Sequence, residues 1–248
     1  MLFKKATLCI WAFFFIPALI FGAEDLNAQD ILRKTDEVLL SAKDQKMIMK
    51  MVIVDKKGNT KKREILIYQK GDDRRLAKVI QPADQRGIGF LSLPGDMTYV
   101  YLPAYKKVRR IASHIKNNKF AGTDFTYEDM QPKHYSAEWR AQLLNANDTV
   151  YILKLIPQEE NNSEYGSLVM YIDKVNFYPK KIEYFDKKDN MVKIMTNLKT
   201  ERVNGYYIAS ELEMVDKRTD NHTTLTIDSI EFDSGIADDI FTERFLTK

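Results

Sequence analysis

Gln45-Lys46-Met47-Ile48-Met49-Lys50-Met51-Val52-Ile53 is the stretch on which the reading of this chain turns. Met47, Met49, Met51 and Ile53 alternate with Lys46, Ile48, Lys50 and Val52, a period of two that an extended strand sorts onto two faces. Just before it, residues 28–41 place Ile31, Thr35, Val38 and Leu39 three and four apart, an amphipathic helix opening after the capping residue Asn27. Outward from here strands dominate. Lys57-Gly58-Asn59 turns the chain into a second strand over 61–70, and Gly71-Asp72 into a third over 74–81. Further strands follow at 87–93, 97–102 and 107–111, and turns this short make neighbours antiparallel. After an irregular segment, 112–135, alternation resumes at 138–146, 149–157, 168–173, 180–186, 191–203, 206–216 and 223–232. Residues 238–246 give a short helix at best.

About a dozen meandering strands exceed what one flat sheet tolerates, so the sheet must curl or split. With 44% hydrophobic and 29% charged residues in 248, the chain can build a sizeable core, and neither a repeat nor a linker divides it. A formal charge of +3 leaves no basic excess for nucleic acid. Two helices and one irregular crossing segment are too few to cover both faces. The expectation is a mainly β fold with minor α: a curved antiparallel half-open β-barrel covered by the N-terminal helix and a helical or loop lid.

Large, flexible apolar side chains recur along strand faces: Met47, Met49 and Met51; Tyr99 and Tyr101; Tyr151 and Leu153; Leu168 and Met170; Tyr206 and Ile208. Methionine repacks around variable apolar guests, so these residues are candidates for a lipid cavity. The same faces would serve equally as packed core.

The search for reaction chemistry finds little. The three histidines, His114, His134 and His222, stand in no metal-binding spacing, and no nucleophile elbow, phosphate loop or dinucleotide motif occurs. The best polar group is Asp124, Glu128 and Asp129, which reads as ion pairs with Arg109 and Arg110 or as a divalent-cation site. Basic clusters at 61–63, 74–75 and 106–110 read as solvated strand edges or as contacts to anionic head groups. The expectation is no enzyme, no cofactor and no metal.

At the N-terminus Lys4 and Lys5 precede an apolar run over 6–23, the layout of a cleavable export signal; the rival is a membrane anchor. The division expected is a signal peptide over 1–23 and a single domain over 24–248. The lone Cys9 lies inside the run, so disulfides and thiolate chemistry leave with it. From residue 24 onward 36 basic side chains stand against 35 acidic ones.

The run Gln81-Pro82-Ala83-Asp84-Gln85-Arg86-Gly87-Ile88-Gly89-Phe90-Leu91, then Met97-Thr98-Tyr99-Val100-Tyr101-Leu102-Pro103 with Lys107-Val108-Arg109-Arg110-Ile111, and Phe120-Ala121-Gly122-Thr123-Asp124-Phe125-Thr126-Tyr127-Glu128-Asp129-Met130 resemble the LolA-like family of outer-membrane lipoprotein-sorting proteins. Tyr171-Ile172-Asp173-Lys174 and Phe177-Tyr178-Pro179-Lys180-Lys181-Ile182-Glu183-Tyr184 are similar to it as well. The resemblance implies a periplasmic carrier that binds acyl chains of lipoproteins or other lipids and moves them between envelope membranes. It implies an inner-membrane transporter of ABC or RND type as donor and an outer-membrane acceptor. A non-catalytic adaptor of an RND-type lipid exporter is the alternative. Within the motif Gly122 reads as a backbone position needing positive φ or close approach, Asp124 and Asp129 as charges fixing the lid to Arg109 or Arg110, and Phe120, Phe125 and Tyr127 as lid aromatics. Each buried methylene is worth ~0.8 kcal/mol, so a chain of about 16 carbons costs on the order of 12 kcal/mol to leave a bilayer unaided. A carrier therefore needs a hollow.

Overall fold

The computed structural model describes residues 26–159 and 161–248; the expected export segment over 1–23 lies outside the described residues. Helix α1 (Ala28–Leu39) opens with the Asn27 side chain accepting from the Asp30 amide, which satisfies a donor the first turn leaves free. The chain then enters β1 (Asp44–Val54), β2 (Thr60–Lys70), β3 (Arg74–Gln81), β4 (Gly89–Leu93), β5 (Met97–Leu102) and β6 (Lys107–Arg110). A crossing segment follows. It was expected to be irregular and holds 3-10 turns and two single-turn helices, α2 (Tyr127–Met130) and α3 (Tyr135–Glu138). A second meander comprises β7 (Trp139–Ala146), β8 (Val150–Pro157), β9 (Tyr165–Asp173), β10 (Pro179–Asp186), β11 (Met191–Val203), β12 (Tyr206–Asp216) and β13 (Asn221–Phe232). A 3-10 turn, Asp238–Ile240, and α4 (Glu243–Leu246) end the chain.

The 13 strands among the described residues form one antiparallel sheet that does not close, in the order β6-β5-β4-β3-β2-β1-β13-β12-β11-β10-β9-β8-β7. The first and last strands pair along their length, from Gln45 opposite Phe232 to Val54 opposite His222. That pairing leaves β6 and β7 as the free edges, and these are consecutive in the chain. The segment between them therefore has to cross from one edge to the other.

The alternation read from the sequence sorts the two faces. On the inner face Met47 sits opposite Ile67 and Ile230, and Met51 opposite Leu225, all within the main core with Ile31 and Leu32 of α1. On the outer face Lys46 pairs with Glu231 and Lys50 with Asp228.

A second apolar layer lies on the outside of β2 to β5. Leu76 and Leu91 are covered there by Ile236, Phe241 and Leu246 of the C-terminal segment. Gly89 makes this seating possible, since a Cβ there would come 2.6 Å from the Leu246 Cδ1. Tyr99 and Tyr101, expected in the cavity, belong to this outer layer instead. Tyr99 stands opposite Leu91 and so shares its outward face, while the inward positions of β5 go to Thr98 and Val100. One residue of parity decides the face.

The C-terminal segment is tied at its start by Asp44, buried at the foot of β1. Its carboxylate accepts from the amides of Ser234, Gly235 and Ile236 at 2.9, 3.0 and 3.1 Å and from the Ser234 hydroxyl. Replacing Asp44 by Ala strands these donors, and buried hydrogen bonds to a charged acceptor are worth about 1.5–3 kcal/mol. Asp44→Ala is therefore expected to lose about 2–3 kcal/mol in urea unfolding; an unchanged midpoint would refute the anchoring role.

Candidate functional site

Between the inner face, the end of α1 and the crossing segment lies a cavity of about 260 Å³. Its walls include Met47 and Met49 of β1, Leu168 of β9, and Tyr206 and Ile208 of β12. The crossing segment contributes Phe125, and Met195, Leu212 and Ile227 complete an apolar lining. Exposed Ser41 and the half-buried Leu39, Leu40, Tyr206 and Phe232 form its rim. The hollow thus meets solvent between the end of α1 and the sheet at β12 and β13. It is smaller than the ~300–1,000 Å³ of pockets for drug-sized ligands, which suits one chain segment rather than several tails at once.

Not every candidate faces this space. Met51, Leu153 and Met170 lie deeper, packed in the core away from the cavity. Tyr151 is half-buried against that core and stacks on Phe177, with ring centroids 6.3 Å apart. The open volume is bounded instead by the end of α1, the crossing segment and inward residues that run from Arg75 of β3 through β1 and β13 to Met195 of β11 and Leu168 of β9.

The crossing segment is fixed more firmly than a swinging lid. Thr126 and Asp129 close a reciprocal cap on α2. Asp129 is then held by Lys193 Nζ at 2.6 Å and by the Tyr165 hydroxyl at 2.8 Å. Both partners of that ion pair are buried, Lys193 completely. Asp124 accepts from Lys119 Nζ at 2.6 Å and from the Thr223 hydroxyl at 2.8 Å. Lys119 also reaches Asp216 at 3.1 Å. Glu128 accepts from the Ser163 hydroxyl and, at 3.0 Å, from the Glu164 amide. The expected partnership of Asp124 and Asp129 with Arg109 and Arg110 is therefore corrected. Those arginines lie on the edge strand β6 and are exposed, whereas lysines from the segment itself and from β11 stand within reach. Asp124 precedes α2 and does not share a helical face with Glu128.

The aromatic members pack inward. Phe120 is fully buried and meets Phe90 edge-on at 6.1 Å, and Tyr127 stacks on Phe90 at 6.3 Å. Gly122 has φ +72 and open space around its Cβ position, so backbone conformation and not close approach selects glycine there.

Sequence reasoning missed two inward-facing cations, the half-buried Arg75 and the fully buried Lys193. Arg75, taken with Arg74 as a solvated edge, points to the inner face with Ala77 and Val79 and lines the cavity. Its Nε donates to Gln69 Oε1 at 3.0 Å and its Nη1 to the Met130 carbonyl at 3.0 Å. Among the described residues it forms no ion pair, and burial pushes its guanidinium down to about 10. Lys193 shares the inner face of β11 with Met195. A lysine or arginine at the inward parity of an otherwise apolar strand was the available signal. Trp139, at the start of β7, also lines the cavity, and its buried Nε1 has no hydrogen-bond partner. Burial raises the phenols of Tyr135, Tyr165 and Tyr184 and pushes Tyr178 up to about 12, so all remain neutral donors near neutrality. Among the described residues no cluster of three His, Cys, Asp or Glu could hold a metal ion, and no helix is long and apolar enough to cross a membrane.

A family model described as uncharacterized protein matches residues 71–248. No curated protein matches the chain. Among solved structures, a domain named for outer-membrane lipoprotein sorting from Vibrio parahaemolyticus is similar at TM-score 0.81 and 26% identity, covering 89% of this chain and 98% of that one. A DUF1329 family protein from Desulfovibrio piger ATCC 29098 is similar at 0.82 and 26%, covering 88% and 97%. A LolA superfamily protein from Nitrosomonas europaea shares the fold at 0.75 and 18%, covering 89% and 99%.

Two outcomes test the fastening of the crossing segment. Lys193→Met leaves the Asp129 carboxylate buried without its cation, and breaking such a pair costs about 3–5 kcal/mol, readable by denaturant unfolding. Burial alone would raise Asp216, but hydrogen bonds from Arg218 and Lys119 outweigh it and hold the carboxyl at about 2, against 3.8 unperturbed. Its contribution is complete above the unfolded value and is lost as the pH falls toward 2. Stability should fall over that window, and less steeply in Asp216→Asn; equal slopes would count against the network.

Proposed function

Because this chain is LolA-like and belongs to the family whose model spans residues 71–248, we propose that it is a periplasmic carrier that shields an acyl chain of a lipoprotein or another lipid between envelope membranes. The observation that carries this reading is the cavity itself: an open hollow on the inner face of an unclosed sheet, walled by Met47, Met49, Leu212 and Ile227. Unbranched methionines adapt to a guest whose length and unsaturation vary.

The anchoring of the crossing segment shapes how loading proceeds. Displacing that segment would break the buried Asp129–Lys193 pair and the Glu128 and Asp124 contacts together, a cost of several kcal/mol. Entry by way of the rim at residues 39–41 and Phe232 needs no such break. A chain enters between the end of α1 and β12, and methylene burial offsets the cost of leaving the bilayer. Release follows when an acceptor binds the same tail more tightly. The donor in this reading is an inner-membrane transporter and the acceptor lies at the outer membrane. The carrier's own part requires no reaction step.

Native mass spectrometry of the protein purified without detergent tests the proposal. The expected result is a bound acyl lipid in the wild type and its loss in Leu212→Trp, which fills the hollow, with folding verified by circular dichroism. A wild type repeatedly free of lipid, and unable to take up an added fluorescent fatty-acid probe, would overturn it.

A further inference from the structure

The cavity lining holds two acids, Glu128 and Asp129, and two bases, Arg75 and Lys133, and Lys193 behind the wall adds a third cation, an excess that acyl burial alone leaves unused. Of its acids, Asp129 is paired with Lys193, and Glu128 is hydrogen-bonded by Ser163 and Glu164 with Lys133 at 4.0 Å. Arg75 is the remaining cation, and among the described residues no carboxylate answers it. Its neutral acceptors, Gln69 Oε1 and the Met130 and Gln131 carbonyls, take four of the five N–H donors and leave one, and none of them carries a charge. The indole N–H of Trp139, in the same lining and 1% exposed, has no acceptor. A half-buried cation without a counter-charge and a buried donor without an acceptor are both costly, and both are relieved by one kind of guest. Gln69, Gln131, Glu128 and Asp129 lie on the same side of the lining, whereas Met195, Leu212, Met214 and Ile227 line the other, so the hollow is polar at the β3 and crossing-segment side and mainly apolar toward β12.

Resting on the carrier reading above, we propose that the cargo is a single-chain amphiphile with an anionic head group, a carboxylate or a phosphate monoester, seated on Arg75 and accepting from Trp139 while its tail lies along Met49 and Leu212. The cavity volume of about 260 Å³ is what restricts the guest to one chain.

Displacement of the fluorescent apolar probe N-phenyl-1-naphthylamine by dodecanoate, dodecyl phosphate and dodecanol, at pH 8 and matched ionic strength, tests this with the full chain. One charge-assisted hydrogen bond is worth about ten- to hundred-fold in affinity, so either or both anions should displace the probe at least about tenfold better than dodecanol. Whichever anion does so names the head group. Arg75→Gln should abolish that preference, Arg75→Lys should keep part of it, and Trp139→Phe should weaken the anions more than dodecanol. Equal displacement by all three compounds in the wild type overturns the head-group assignment and leaves acyl carriage standing; this comparison decides the matter even if Arg75→Gln does not fold. Arg75→Gln that weakens dodecanol as much as the anions also overturns it, since Arg75 would then only hold the crossing segment in place. Failure of the probe and of every compound to bind at all overturns the carrier reading instead.

Discussion

The pairing of β1 with β13 is the constraint from which the remaining architecture follows. Ladder bonds between the two ends of the chain place both termini of the sheet's sequence at its middle and push β6 and β7 to its margins. A flat sheet of this many strands would hold its edges ~60 Å apart, at about 4.8 Å per strand. About half of the connecting segment lies in 3-10 turns and single helical turns, which advance only ~1.5–2 Å per residue, and the segment doubles back where Lys119 bridges Thr126. It bridges the margins because the sheet bends toward it. Curvature, roof and hollow are thus one arrangement, set by a contact between residues nearly 190 positions apart, as for Lys46 and Glu231.

Strand content was written plainly in the sequence because period-two patterning and short turns are local signals. Most strand bounds agree to within a few residues; β9 begins at Tyr165, earlier than residue 168, because Gly166 lies against the backbone of Asp186 and conceals the start of the pattern. The inside of the curve was legible for β1, β9 and β12, whose Met47, Leu168 and Ile208 line the hollow. For β5 it was not. Tyr99 and Tyr101 alternate just as well, and which side of a strand faces inward depends on its partners. A C-terminal segment that packs on the outside gives an apolar row somewhere else to go.

The acidic residues of the motif show the same limit in a sharper form. That Asp124 and Asp129 would be paired follows from their chemistry; which cations pair with them does not. Arg109 and Arg110 were near in sequence, but Lys193 arrives from β11 and Lys119 from within the segment. Long-range ion pairs carry no sequence periodicity of their own. Only the interruption of an apolar strand face by a lysine at 193 or an arginine at 75 hints at them, and that hint reads equally as a solvated edge until the sheet is assembled.

The C-terminal strap also divides the sheet mechanically. On the β2 to β5 side, Tyr68, Leu76, Leu91 and Tyr99 form a row clamped between two apolar layers. On the other side the corresponding outward row, Lys154, Val169, Glu183, Ile194 and Val215, is half-exposed, and among the described residues no layer lies over it. A sheet laminated on both faces resists bending far more than one laminated on a single face. The two jaws around the hollow therefore differ in stiffness, and a bulky occupant displaces the bare jaw outward while the clamped jaw keeps its shape as the fixed reference.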